Sequence, residues 1–180
     1  MELSVMSPVL GHLSLEESLK YLSSLGVDSL ELGAGGYPGK AHFDPDIYLE
    51  HPEKISEIKE LFQKYNMRIC ALACHGNPVH PNKEIAQHFH KEFINAMKVA
   101  PLLGVDTIIG FSGCPGDCEN SKNPNWVTCA WPSEYQEILE WQWNEVLIPY
   151  WKETVKTAKE LGIKKIAFEM HPGFCCLLYT

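Results

Sequence analysis

Short apolar runs alternate along the chain with longer stretches whose hydrophobic residues recur at helical spacing. The joints between them repeat: Leu25-Gly26-Val27-Asp28, Leu103-Gly104-Val105-Asp106 and Leu161-Gly162-Ile163-Lys164 each end an amphipathic stretch and open an apolar run. Glycine suits the left-handed residue that closes a helix, and the β-branched residues after it suit a strand. Tyr65-Asn66-Met67-Arg68 repeats the pattern with Asn in the glycine role. The pattern predicts strands near 3–7, 28–33, 68–75, 107–112 and 165–170, and helices near 14–25, 52–65, 83–103 and 135–161. Ser14 with Glu17 forms a capping box for the first helix, and Pro52 suits the first turn of the second. Strands alternating with long helices imply parallel pairing through crossovers.

Each strand exits into a loop rich in Gly, Pro and polar residues: SPVLGH, GAGGYPGKAH, CHGNPVHP, GFSGCPGDCEN and HPGF. The opposite joints are short and plain. Parallel α/β folds place their chemistry at the carboxyl ends of the strands, so the elaborate end is the functional end. A doubly wound sheet and a barrel both fit the alternation. No GxGxxG or Walker-type loop follows the first strand, which argues against a nucleotide-binding version.

Strand side chains alternate between faces, so the residues aimed inward follow from parity. Ala167, Glu169 and His171 share one face of the last strand, opposite Ile166, Phe168 and Met170. Ile69, Ala71, Ala73 and His75 share a face of the third, opposite Cys70, Leu72 and Cys74. Ser29, Glu31 and Gly33 oppose Leu30 and Leu32 in the second. Three strands therefore aim Glu31, His75, Glu169 and His171 at one region, where carboxylates and imidazoles suit a divalent cation or proton transfer. Glu31 reads equally as the partner of an inward Lys or Arg, and a strand-end His as hydrogen-bonded scaffolding. His12, His42, His51, His80, His88 and His90 read as loop or solvated-helix residues, with a functional reading kept open for His12, His42 and His80, which lie at the functional end. The connection 111–134 is long enough for a lid or pocket wall. Its Trp126 and Trp131 suit stacking on a sugar ring or anchoring the loop; Trp141, Trp143, Tyr150 and Trp151 read as packing residues of the following helix.

Composition narrows the functional classes. The 180 residues are 45% hydrophobic and 21% charged, a single folded domain over 1–180. The longest apolar runs are too short to span a bilayer, and no export signal opens the chain, so a cytoplasmic protein is expected. A net charge of −8 without a Lys/Arg cluster argues against nucleic acid. Seven cysteines include the spacings Cys70–Cys74 and Cys114–Cys118, which are wider than those of a usual structural zinc site. Buried or loop thiols are the expected reading.

The segments SLELGAGGYPG, CHGNPVHP, GFSGCPGD, NWVTCAWP, WQWNEVLIPYW and FEMHPGF together resemble the xylose isomerase-like TIM-barrel superfamily, which takes in sugar phosphate isomerases/epimerases and endonuclease IV. The resemblance runs from residue 1 to about 175 and covers the first five strands. It implies a parallel (β/α) barrel, incomplete at about five strands and four helices. It implies that Glu169 is both catalytic and a ligand of a divalent metal (Mn, Co, Mg or Zn). His75, His171, Glu31 and Trp131 are then expected to contact a sugar or sugar phosphate. The family continues beyond this span with three more strands and further metal ligands, and 171–180 is an atypical tail. The expectation is accordingly an N-terminal fragment, inactive alone or completed by association into a homo-oligomer. The alternatives are a non-catalytic truncated barrel, an endonuclease IV-like phosphodiesterase, and a lyase or hydratase on the same scaffold.

Overall fold

The computed structural model of the protein describes residues 3–129 and 131–174, so the stretch CCLLYT at 175–180 lies outside the described residues. Five parallel strands form one sheet in the order β1 (Ser4–Met6), β2 (Ser29–Gly36), β3 (Arg68–His75), β4 (Thr107–Gly110) and β5 (Lys165–Phe168). Each strand pairs with the next in sequence, and among the described residues β1 and β5 do not meet. The sheet is an open arc, as an incomplete barrel requires.

The helices are α1 (Leu15–Ser24), α2 (Pro45–Glu50), α3 (Ile55–Lys64), α4 (Lys83–Leu103), α5 (Ser133–Trp141) and α6 (Ile148–Glu160). The helix expected over 135–161 is continuous but passes through a π-helical stretch, Gln142–Leu147, between α5 and α6. The short α2 was not expected: six residues are too few to display a helical period, and its signal is the Asp44 cap before Pro45. The predicted capping box of α1 is present, with Ser14 and Glu17 bonding each other's backbone amides. The four predicted joints close at Gly26, Asn66, Gly104 and Gly162, all with positive φ.

The core lies on the outer face of the arc. Leu30, Leu32, Leu72 and Ile108 are fully buried there, packed with Phe93, Ala96, Met97 and Ala100 of α4. At ~1.5–3 kcal/mol for each large apolar side chain buried, this layer is the main source of cohesion. Among the described residues no helix is long and apolar enough to cross a membrane.

Two register shifts alter the parity expected from sequence. Leu30 faces Ile69, yet the next residue, Glu31, faces Ala71, so Cys70 is an extra residue in β3. Ile69 therefore packs outward against the core, and the Cys70 sulfur meets Ser4 Oγ at 3.1 Å. The expectation that Ile69 shares a face with Ala71, Ala73 and His75 fails for this reason, while Ala71 onward holds. The second shift lies between Gly33 and Gly36. Gly36 has φ +64°, and a Cβ there would sit 1.8 Å from the His75 carbonyl oxygen. The β2 backbone crosses β3 this closely because no side chain intervenes, and the Tyr37 amide donates to that same carbonyl at 2.7 Å.

Gly36→Ala should therefore cost roughly 2 kcal/mol more than Gly26→Ala, since both carry left-handed strain but only Gly36 must also displace backbone. Gly26 also has positive φ, with nothing within 4 Å of a built Cβ. Urea unfolding of the two variants checks the difference; equal losses would show that the crossing relaxes freely.

Candidate active site at the carboxyl end of the sheet

The inner face of the arc brings together residues from β2, β3, β4 and β5. Ala73 and Ile109 pair across β3 and β4, and Ile109 pairs with Ala167 of β5. Two residues further along each strand stand His75, Phe111 and Glu169, which form the row at the mouth. The Glu169 amide donates to the Gly110 carbonyl at 3.0 Å and carries the β4–β5 ladder past the end of β5. His75 Nε2 lies 2.9 Å from Glu169 Oε2. The contact is an ion pair in distance, without the alignment of a good hydrogen bond.

The two partners differ in environment: the His75 side chain is 2% exposed and that of Glu169 is 53% exposed. Burial lowers the His75 pKa below the ordinary histidine value, partly opposed by the charge of Glu169 beside it. Glu31, partly buried on β2, has its pKa raised, first by burial and then by the like charge of Glu169. Glu31, His75 and Glu169 thus form one electrostatic group, as strand parity predicts.

Aromatic rings close over this group. Phe111 stacks on Phe174 at 4.2 Å and meets the edge of His75 at 4.6 Å. Tyr37 lies 6.1 Å from Phe111 and 6.3 Å from Phe174. His171 reaches the same cluster, 5.1 Å from Phe111. Its Nδ1 accepts from the Gly173 amide at 3.1 Å, so the neutral ring carries its proton on Nε2. His75 is accordingly a floor beneath the rings, and Glu169 and His171 are the exposed polar groups. Trp131 is 80% exposed, and among the described residues no ring contact joins it to this cluster. Trp126 meets Trp143 edge to face at 5.9 Å, an anchoring contact.

Other polar residues hold the mouth in shape. Asn77, 2% exposed, accepts from the Cys114 amide at 2.9 Å and donates to its carbonyl at 2.8 Å, tying the loop after β3 to the loop after β4. Gln142, fully buried, donates to the carbonyls of Gly116 and Asn125 and pins the long loop to the π-helical stretch. Lys40 lies within 3.2 Å of Asp44, Asp46 and Glu92; burial works against its charge, but these hydrogen bonds raise its pKa overall. Glu92 also accepts from the Gly36 amide at 2.7 Å. His42, expected in a loop, is buried with Nε2 3.0 Å from the Leu13 carbonyl, and is scaffolding. None of these roles shows in hydrophobic periodicity. Their only sequence signal is an amide or charge set among Gly and Pro, as in CHGNP.

Glu169 and Glu31 are oxygen donors of a kind that suits a hard divalent cation. In number they fall short, because among the described residues no three His, Cys, Asp or Glu side chains are placed to hold one ion. The Cys70–Cys74 and Cys114–Cys118 spacings build no metal site either; among the described residues none of these four thiols is in a disulfide or a metal-binding cluster.

The family model for the xylose isomerase-like TIM barrel matches residues 19–180. This chain belongs to that family. YfiH of Bacillus subtilis (strain 168) is 40% identical over 171 residues, covering 94% of this chain and 54% of YfiH. Among solved structures, a putative xylose isomerase from Rhodospirillum rubrum superposes with a TM-score of 0.65 at 15% identity, over 97% of this chain and 56% of that one. The IolI protein, whose structure holds a zinc atom, superposes with a TM-score of 0.58 at 18% identity, over 97% and 54%. Sugar epimerases are among the further structural neighbours. The chain spans about half the length of these relatives.

The His75 titration follows from the geometry. Its folded pKa lies below the unfolded value, so stability is fullest above the ordinary histidine pKa of ~6.5 and declines as pH falls toward the folded value. Glu169→Gln removes the charge that favours the protonated ring, so His75 should titrate at still lower pH and the acid-side decline should extend further. NMR titration of the His75 ring in both proteins checks this; an unchanged pKa would show that the carboxylate does not act on the ring.

Proposed function

We propose that the mouth belongs to a metal-dependent isomerase or epimerase acting on a small sugar, with Glu169 as its central group. The observation that supports this most is the convergence of Glu31, His75 and Glu169 at the carboxyl end of the sheet, in a chain of the xylose isomerase-like family. Glu169 is steadied by His75 on one oxygen and stays half exposed at the mouth. A carboxylate so placed can take a proton from a carbon next to a carbonyl and return it to the neighbouring carbon or opposite face, which is isomerisation or epimerisation. His75 lies against one oxygen of Glu169 and answers changes in its charge. His171 offers an Nε2–H to a sugar hydroxyl, and Glu31 accepts from another. The Phe111–Phe174 pair supplies an apolar surface for the C–H face of the sugar.

Glu169 would contribute one ligand to a divalent metal, with Glu31 on the same inner face a candidate second oxygen donor. The metal, when bound, would polarise the sugar carbonyl. Further ligands must come from outside the described residues, whether from more chain of the kind its relatives have or from a second copy. Trp131 is assigned no substrate contact in this reading. The net charge of −8 and the family's sugar-processing neighbours favour a small sugar over a phosphodiester in nucleic acid.

Mn2+ titration followed by electron paramagnetic resonance tests the assignment. The purified protein should bind the ion weakly, and Glu169→Ala should weaken binding by about tenfold or more, the loss expected when one of few charged ligands goes. Glu153→Ala, on the exposed surface of α6, should leave binding unchanged. Equal binding by the Glu169→Ala protein would remove Glu169 from the metal site.

A further inference from the structure

We propose that the lobe formed by α5 and the long loop after β4 binds an organic cation, an alkylammonium or guanidinium group on an aliphatic stem. Two cavities lie side by side in this lobe, of about 410 and 340 Å3. Asp117 and Ile138 line both and so form their common wall. Trp126, Val127 and Tyr135 add apolar surface to the first, whereas Trp141 lines the second together with Glu119, Glu134 and Glu137. Each cavity therefore sets an aromatic ring beside at least one carboxylate. Ring faces attract cations through their quadrupole, and carboxylates pair with ammonium and guanidinium groups. An aliphatic stem can lie against Val127 and Ile138 while its charged end meets the acids. The surrounding field has the same sign, since residues 111–151 include six acidic residues and one basic residue, Lys122.

Hydrogen bonds within the lobe fix its shape. The Asp117 carboxylate accepts from Ser121 Oγ and, at 3.2 Å, from Asn125 Nδ2, and these bonds hold its carboxyl below the ordinary aspartate value. Asp117 is exposed, and a carboxylate has about four lone-pair sites, so further sites stay open to a ligand. The Asn125 amide donates to the Pro115 carbonyl at 2.9 Å, and Gln142 donates to the Gly116 and Asn125 carbonyls, which fastens both ends of the segment 115–125. Trp143 meets the Trp126 ring edge to face and holds it in place. Gln142 itself stands in the π-helical stretch, an irregularity that helices often keep at functional sites. Because the cavities share the Asp117–Ile138 wall, a chain with a cation at each end can place one in each. A linear diamine should therefore bind more tightly than a monoamine of the same length.

NMR titration of the protein with 1,5-diaminopentane, followed at the Trp126 indole N–H and the Asp117 and Tyr135 amides, tests the proposal. The shifts should fit a single site of millimolar affinity. The neutral isostere 1,5-pentanediol should bind about tenfold more weakly, the order expected for one exposed ion pair together with one cation–π contact. Asp117→Asn keeps an acceptor oxygen for Ser121 and Asn125 but loses the charge, and should weaken diamine binding about fivefold. Glu153→Gln, on the exposed surface of α6, should leave it unchanged. A capped Lys-Gly-Lys peptide separates two sources of the cation. Tighter binding of the peptide than of the diamine assigns the site to a basic segment of a partner protein, and the reverse assigns it to a free polyamine. A diol that binds as well as the diamine, an Asp117→Asn protein of unchanged affinity, or shifts absent from the lobe would each overturn the proposal.

Discussion

The mouth depends on one contact between strands that are not neighbours. His75 stands on β3 and Glu169 just past β5, with β4 between them. Strands lie ~4.8 Å apart, so backbones two strands apart are separated by nearly 10 Å on a flat sheet, too far for a 2.9 Å approach by side chains standing upright. The approach requires the inner face to be concave, so that side chains at one level lean together. Curvature also explains the position of Phe111, which shares the row and lies against His75 and His171. Sheet shape, ring packing and electrostatics at this end are consequences of one geometry.

The same curvature governs which residues are accessible. His75 reaches the interior early and is roofed by rings, whereas Glu169, on the edge strand, stays half exposed. That division sets the two residues apart: the imidazole is sheltered, and the carboxylate is open to the mouth. Gly36 belongs to the same design, because β2 can lean over β3 at His75 only where the backbone carries no Cβ. Its amide is then held by Glu92, which Lys40 in turn holds, so the fold secures the crossing from behind.

Much of this arrangement was legible in the sequence, and the exceptions have identifiable causes. The strand–helix alternation, the four left-handed joints and the inward parity of Glu31 and Glu169 follow from periods of 2 and 3.6 and from the conformational freedom of Gly and Asn. The extra residue at Cys70 was not legible, because a bulge changes parity without changing composition; Ile69 went to the wrong face for that reason alone. The burial of His75 was hidden too, since parity reports direction and not depth. Trp131 illustrates the converse limit: an aromatic residue in a long loop has no period to place it. Asn77, Gln142 and Lys40 act through particular hydrogen bonds and ion pairs, which leave no repeating trace in a chain.

The strand order has a further consequence for how the molecule is assembled. Because every strand pairs with its immediate successor, the order of synthesis is also the order of docking, and each new βα unit finds its partner surface already in place. Loop-closure entropy is then met in short instalments, and no pairing waits for a distant segment to arrive. An arc built in this way grows by accretion, and its buried layer is thickest behind β2, β3 and β4. The five strands of this arc share one outer core, which each crossover helix extends.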